Sequence, residues 1–529
     1  MRKILAATVA CVVGVVIAGG AIPSAAQAAA DHDNSYTPPP ISWGGCDAAS
    51  LKSRGAECGF VVVPLDYAHP SGTKIKIAVS RIKHKNAKYQ GVMLVNPGGP
   101  GGSGLTLATL GQYVPNGVGG DYDWIGFDPR GVGSSVPSLT CDNEYLGYDR
   151  PYYVPVTRSL ERTWLAKAKK YAVACDRAGG ALLDHLKTTD TVADMESIRK
   201  ALGVAQINYY GFSYGTYLGQ VYSTLHPKQV RRMVLDGNVD PTRVWYNANL
   251  DQDVQFDKNM DVYFTWVAKY DSVYHLGKTE KVVEAEYYAV LHQLRTAPAG
   301  GLIGPDEWTD IFLSAGYYVY GWEDVAQAFS AWVHDRNAAP LVAQYAPPGT
   351  PGADNGYAIY LAVQCTDVQW PTSWSKWQRD NWRLYAKYPF MTWDNAWFNA
   401  PCINWGAKAG KPVSVSGKQV APVLLINETN DAATPYSGAL EVRKRFPRSV
   451  LIEGVGGTTH AGSLSGVACT DDTIAGYLDT GALPARVSGN RSDKQCSPVP
   501  PPVPTATAVQ TFAKTGDSRA DLQKLITVR

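Results

Sequence analysis

The pentapeptide Gly211-Phe212-Ser213-Tyr214-Gly215 constrains this chain more than any other feature, because of what flanks it. The apolar run Gln206 to Tyr210 precedes it, and a helix-like stretch, Thr216 to Thr224, follows it. A serine at the sharp turn from a strand into a helix is held in a strained backbone conformation, and small residues two before and two after it let strand and helix pass without clash. Such a turn lifts the hydroxyl above a sheet. Gly-x-Ser-x-Gly arises by chance in many chains, but between a strand and a helix it predicts a nucleophile, Ser213.

A serine hydroxyl is a weak nucleophile near neutral pH and needs a base within hydrogen-bond reach. Of nine histidines, His460 alone lies after the candidate acids near the C-terminus, in Gly456-Gly457-Thr458-Thr459-His460-Ala461-Gly462, just beyond an apolar run at 450–452. Two acids stand at the ends of apolar runs: Asp431, which follows Val423 to Ile426, and Asp236, in Leu235-Asp236-Gly237. A buried carboxylate at either place can hold the imidazole tautomer and stabilise the imidazolium. Asp431 is the first choice; Asp236 has the ordinary alternative of a turn or helix cap. A tetrahedral oxyanion also needs donors. The amide of Tyr214 is one, and the amide of Gly99 is the other, from the loop Asn96-Pro97-Gly98-Gly99-Pro100-Gly101-Gly102-Ser103-Gly104. No Lys-Ser/Thr follows those glycines, and no Gly-x-Gly-x-x-Gly opens a helix with an acid downstream, which argues against a nucleotide site.

Further apolar runs read as strands at Phe60 to Val63, Ile75 to Val79, Val92 to Val95, Trp124 to Phe127, Met233 to Leu235 and Val450 to Ile452. A helix is expected from about Thr191 to Leu202, capped by Asp190 or Thr191. Strand, turn, helix, strand is the rhythm of a mostly parallel sheet covered on both faces. Between about Pro241 and Pro401 the texture changes to aromatic-rich helical segments, with Trp266, Tyr317, Tyr318, Trp322, Trp370 and Trp377 among them. This reads as an inserted cap. Most of its aromatics are expected to fill a helical core and a few to line a pocket, since an insertion after a strand's C-terminal end lies over the crevice where open α/β sheets bind ligands.

The N-terminus reads as an export signal: basic Met1-Arg2-Lys3, apolar Ile4 to Ala21, then the small-residue site Ala26-Gln27-Ala28. Removing it leaves eight cysteines, enough for four disulfides, with consecutive pairing expected. No Cys-x-x-Cys or His-x-x-x-His spacing occurs, so no metal is expected. A formal net charge of +2 from 49 basic and 47 acidic residues gives no field for nucleic acid or an anionic membrane. The expected organisation is a signal peptide at 1–28, a leader at 29–42, a core at 43–240 and 402–496, the cap at 241–401, and a Pro-rich linker and tail at 497–529. Neither a cofactor nor a stable membrane association is expected.

Taken together, Asn96 to Gly104, Gly126-Phe127-Asp128-Pro129-Arg130-Gly131-Val132-Gly133-Ser134-Ser135, Tyr210 to Gly219, and Asp431 to Pro435 with His460 resemble the secreted bacterial tripeptidyl aminopeptidases, relatives of the prolyl aminopeptidases within the α/β-hydrolases. The resemblance covers about residues 43 to 496 and departs in two places. Asn96-Pro97 stands where prolyl aminopeptidases usually show His-Gly, and Thr459-His460-Ala461 replaces Gly-His-Gly. It implies an α/β-hydrolase fold with a mainly helical cap, and release of an N-terminal tripeptide, through an acyl-enzyme, from peptides or proteins whose free amine is gripped beneath the cap. An ammonium needs a counter-charge, and Glu323, in Gly321-Trp322-Glu323-Asp324, and Asp367, in Cys365-Thr366-Asp367, are the expected carboxylates. An esterase or amide deacylase for small molecules is the rival within enzymes; outside them it is a binding protein on an inactive hydrolase scaffold, which usually lacks a triad member.

Overall fold

The computed structural model describes residues 36–345 and 352–504. The expected signal peptide, most of the leader and the tail beyond 504 lie outside the described residues. One mixed sheet carries the fold. Its strands are β1 (Gly44–Gly45), β2 (Glu57–Pro64), β3 (Lys74–Ile82), β4 (Val92–Asn96), β5 (Asp123–Phe127), β6 (Ile207–Phe212), β7 (Val230–Asp236), β8 (Val423–Glu428), β9 (Val450–Gly454) and β10 (Lys494–Cys496). They run in the order β1-β2-β3-β5-β4-β6-β7-β8-β9-β10. β1 pairs antiparallel with β2, β2 with β3 and β3 with β5; from β5 to β10 every pairing is parallel. The parallel strands are buried on both faces, which is why β4, β6, β8 and β9 read as unbroken apolar runs. β10 has no such run: Lys494-Gln495-Cys496 becomes a strand by pairing with β9.

The helix expected from Thr191 spans Thr188–Ala201, one turn earlier. The Asp190 carboxylate accepts the Lys187 amide at 3.0 Å, so Asp190 sits in the first turn and reaches back to the cap position instead of being the cap. The four disulfides join consecutive cysteines: Cys46–Cys58, Cys141–Cys175, Cys365–Cys402 and Cys469–Cys496.

Between β7 and β8 the chain leaves the sheet and forms helices from Tyr246–Lys269 to Thr392–Asn399. They build an aromatic core of their own around Phe256, Tyr263, Trp266, Trp308, Phe312, Trp322 and Phe329. Helices of this insertion also pack against the main core through Tyr357, Ile359, Trp370, Trp377, Trp393 and Trp397. The leader and the Pro-rich linker both contact the core where the structure describes them. The Tyr36 hydroxyl donates to the Val62 carbonyl at 3.0 Å, and Val499, within the Pro-rich stretch, is buried.

Candidate active site

At the end of β6 the backbone turns so sharply that Ser213 takes φ 55° and ψ −125°, a conformation that costs a non-glycine residue free energy and persists only where its surroundings enforce it. The Ser213 amide donates to the Asp236 carbonyl at 3.0 Å, tying the turn to the end of β7. A Cβ on Gly211 would lie 2.5 Å from the Gly215 carbonyl oxygen, so the glycine two before the serine is a steric requirement. The helix Tyr214–Leu225 begins directly after the serine, and the Tyr214 amide, first in that helix, has no carbonyl one turn back to receive it.

The loop after β4 lies against this turn. At Gly98, φ is +99° and an added Cβ would come within 2.5 Å of the Phe212 carbonyl oxygen, 2.8 Å of Ser213 Cβ and 3.1 Å of the Tyr214 nitrogen. Only glycine lets the two backbones meet so closely. Asn96, the departure noted in the sequence, is buried and its Oδ1 accepts the Gly98 amide at 3.0 Å, which pins the loop from below. The Asp128 carboxylate accepts the Ser103 hydroxyl at 2.6 Å and the Gly104 and Ser134 amides at 3.0 and 2.8 Å, joining the glycine loop to the turn after β5.

Asp431 follows β8 and His460 follows β9, so the parallel order of the sheet brings both to one rim. His460 Nδ1 lies 2.9 and 2.8 Å from the two oxygens of Asp431. A carboxylate can only accept, so Nδ1 carries the hydrogen and Nε2 presents its lone pair. The Thr434 amide and hydroxyl each donate to Asp431 at 2.9 Å, which fixes the carboxylate in turn. Both members are buried, Asp431 at 0% exposure and His460 at 3%, and His460 Nε2 has no hydrogen-bond partner among the described residues. Gly237, next to the carbonyl that holds Ser213, stands so close to the ring that a Cβ there would be 3.0 Å from His460 Cε1. The second-choice acid, Asp236, does something else: its carboxylate accepts the Ser463 amide at 2.8 Å, and burial pushes it up to about 6.

The insertion closes over these groups. The His460 amide donates to the Tyr317 carbonyl at 2.9 Å, and the Tyr317 and Tyr318 rings stand 5.9 and 6.4 Å from the imidazole. Beneath lies a cavity of about 660 Å³ lined by Gly99, Ser213, Tyr214 and Pro435 on the sheet side and by Tyr317, Tyr357, Tyr360 and Phe398 on the helical side. Most of the aromatics singled out in the sequence are core, as expected; Tyr317 is the one of those named that lines the cavity.

Glu323 and Asp367 do not line it. Trp322 turns into the insertion's core, 5.3 Å from Trp266, and leaves Glu323 half-buried on the first turn of the helix Trp322–Asp335. Asp367 is buried below the cavity, where it accepts the Thr188 amide and hydroxyl at 2.6 and 2.7 Å and the Trp245 indole at 3.0 Å. The Thr188 hydroxyl lies 2.8 Å from the Tyr214 hydroxyl, so Asp367 supports the turn from behind. The acids that do line the cavity are Asp240, Asp251, Asp310, Asp354 and Asp394. Arg243 pairs with Asp251 and Arg150 with Asp310; Asp354 accepts the Cys141 and Asp142 amides and the Tyr171 hydroxyl. Sequence reasoning missed this set because none of its members carries a motif.

Residues 91–279 match the model described as alpha/beta hydrolase fold, and residues 388–496 the model described as TAP-like protein. The tripeptidyl aminopeptidase of Streptomyces coelicolor is 41% identical over 478 residues, 88% of this chain and 87% of that protein. Serine protease Hip1 of Mycobacterium tuberculosis is 29% identical over 84% of this chain and 90% of its own length, and carboxylesterase B of the same organism is 29% identical over 84% and 89%. The chain belongs to the tripeptidyl aminopeptidase family, serine hydrolases built on the α/β-hydrolase fold.

Proposed function

We propose that this protein is an exported exopeptidase that releases tripeptides from the free N-termini of peptides and proteins, with Ser213 as nucleophile, His460 as general base and Asp431 as the acid that orients it. The observation that carries the reading is the Asp431–His460 pair, buried under the insertion with its Nε2 lone pair unengaged, beside a serine at φ 55°. His460 takes the Ser213 proton as the hydroxyl attacks the scissile carbonyl, and the amides of Tyr214 and Gly99 stabilise the oxyanion. His460 then protonates the leaving amine, and water releases the acyl product by the same path in reverse.

A cavity of about 660 Å³ is of the size that encloses a small ligand, about 300–1,000 Å³, and so admits a short stretch of chain and stops. The ammonium of that stretch meets the carboxylates that line the cavity, Asp240, Asp251, Asp310, Asp354 and Asp394. Export is supported by the basic, apolar and small-residue sequence of the first 28 residues and by four disulfides, which persist in oxidising compartments. The deciding experiment incubates purified protein with a peptide bearing a free N-terminus and with its N-acetylated twin, and reads products by mass spectrometry. Loss of three residues from the free peptide alone is expected. Cleavage of neither peptide, with turnover of small esters, would move the reading to a carboxylesterase.

A further inference from the structure

The Pro-rich stretch after Cys496 looks in sequence like a spacer, yet its first residues run through the catalytic rim. Cys496 is held by its disulfide to Cys469, and its carbonyl accepts the Val455 amide at 3.0 Å. Three residues on, the Val499 amide donates to Glu428 Oε1 at 2.6 Å. The other oxygen of the same carboxylate accepts the amide of Thr459, the residue before His460, also at 2.6 Å. Glu428 is 6% exposed and packs directly against Gly457 and the strap: a Cβ on Gly457 would sit 2.3 Å from Oε2 and 2.5 Å from Pro498 Cβ. The Val499 side chain belongs to the insertion's apolar cluster, with Phe256, Met260 and Ala433. Further along, the Pro502 carbonyl accepts the Trp266 indole at 3.0 Å, from the insertion's first helix.

We propose that Glu428 is a positioning residue for His460 and that residues 497–504 form a strap which completes it, so that the strap, the histidine loop and the insertion are fixed as one unit. The His460 backbone has one anchor on each side, the Glu428 carboxylate through Thr459 and the Tyr317 carbonyl through its own amide. Without the Val499 amide, Glu428 loses one of its two short bonds and no longer holds the Thr459 amide in register. His460 then samples orientations in which Nδ1 stays with Asp431 while Nε2 leaves the path to Ser213. The strap therefore acts on the rate of proton transfer and not on the grip on substrate. This rests on His460 being the base.

Val499→Pro removes one N–H within a run already rich in proline, and Val499→Ala keeps that N–H while trimming the side chain. In the full-length protein, Val499→Pro should lower kcat about tenfold, the usual scale for leaving a buried hydrogen-bond partner unsatisfied, with KM within about twofold. The rate of Ser213 labelling by a fluorophosphonate should fall in parallel, and Val499→Ala should retain kcat to within about twofold. Wild-type kcat in Val499→Pro, or equal losses in both variants, would overturn the proposal. If Val499→Pro does not accumulate as folded protein, Trp266→Phe removes the second anchor and should lower kcat about threefold at unchanged KM; an unchanged kcat there overturns it too. His460→Ala separates the two readings. If it labels at the wild-type rate, the triad falls and this proposal with it, whereas a silent His460→Ala beside a fully active Val499→Pro sinks the strap alone.

Discussion

Two buried aspartates stand at neighbouring strand ends on the catalytic rim, and what distinguishes them is which donor each faces. Asp431 receives His460 Nδ1 and two donors from Thr434; Asp236 receives the Ser463 amide. Asp431→Asn offers the ring an amide that can present N–H where an acceptor is needed, which favours the wrong tautomer, and kcat should fall by about four orders of magnitude. Asp236→Asn should cost about tenfold or less, because it disturbs only the loop behind the ring; steady-state kinetics of the two variants compares them directly. Glu428 makes a second prediction at this scale. Burial pushes its carboxyl up to about 8 against the pull of the Thr459 and Val499 amides, from an ordinary 4.5. Between those values the folded protein holds a proton that the unfolded chain has released, so stability falls as pH rises through that window. Glu428→Gln cannot titrate. Its thermal midpoint should therefore decline less than the wild type's between pH 5 and pH 8, whatever its absolute stability; parallel declines would mean that Glu428 keeps an ordinary affinity for its proton in the fold.

Among the elements, the glycine loop after β4 shows how backbone shape carries chemistry. Gly98→Ala puts a methyl group into the Phe212 carbonyl and the Ser213 side chain at a φ that alanine avoids, so either the loop or the elbow must shift. The Gly99 and Tyr214 amides then no longer converge, and kcat should fall by about 100-fold or more with the fold retained, as circular dichroism would register. The insertion makes the complementary prediction: removing one cavity carboxylate by Asp394→Asn should raise KM for free-amine peptides by up to about tenfold and leave ester hydrolysis nearly unchanged, since on the proposed function the ammonium has one counter-charge fewer and the rim is untouched. The same contrast explains what was legible in the sequence. The parallel strands β4, β6, β8 and β9 are buried along their whole length, and Ser213, Asp431 and His460 stand just past three of them, so pattern alone pointed to them as candidates. The insertion's helices take their facing from tertiary packing. Glu323 follows Trp322, which turns it off the cavity by entering the core; Asp367 sits beside a disulfide but has its oxygens taken by Thr188 and Trp245. Neither outcome has a local signature, and the same holds for β10 and Val499, which are ordered by partners far away in the chain.

At the scale of the whole molecule, the insertion must close on the sheet accurately enough to place Tyr317 against the His460 loop, although it leaves and re-enters the core almost 190 residues apart, after β7 and before β8. A disulfide clamps the return. Cys365 lies at the end of the helix Asn355–Asp367 and Cys402 in the turn that follows Thr392–Asn399, both buried against the main core, 37 positions apart in sequence. By loop-closure entropy, a link of that span stabilises the folded state by about 4 kcal/mol. Replacing both cysteines by serine should lower the thermal midpoint by about 3–5 °C in a protein of this size. Because the clamp fixes the helices that carry Tyr357, Tyr360 and Asp394, the loss should also raise KM while kcat for a small ester, which needs only the rim, stays near the wild-type value. The same double substitution at Cys46 and Cys58 closes a span of only 12 residues at the far edge of the sheet, beside β1 and β2, and should lower the midpoint by less with KM unchanged. Equal effects on KM from the two pairs would mean that disulfides set stability alone and that the insertion is held over the active site by its packing.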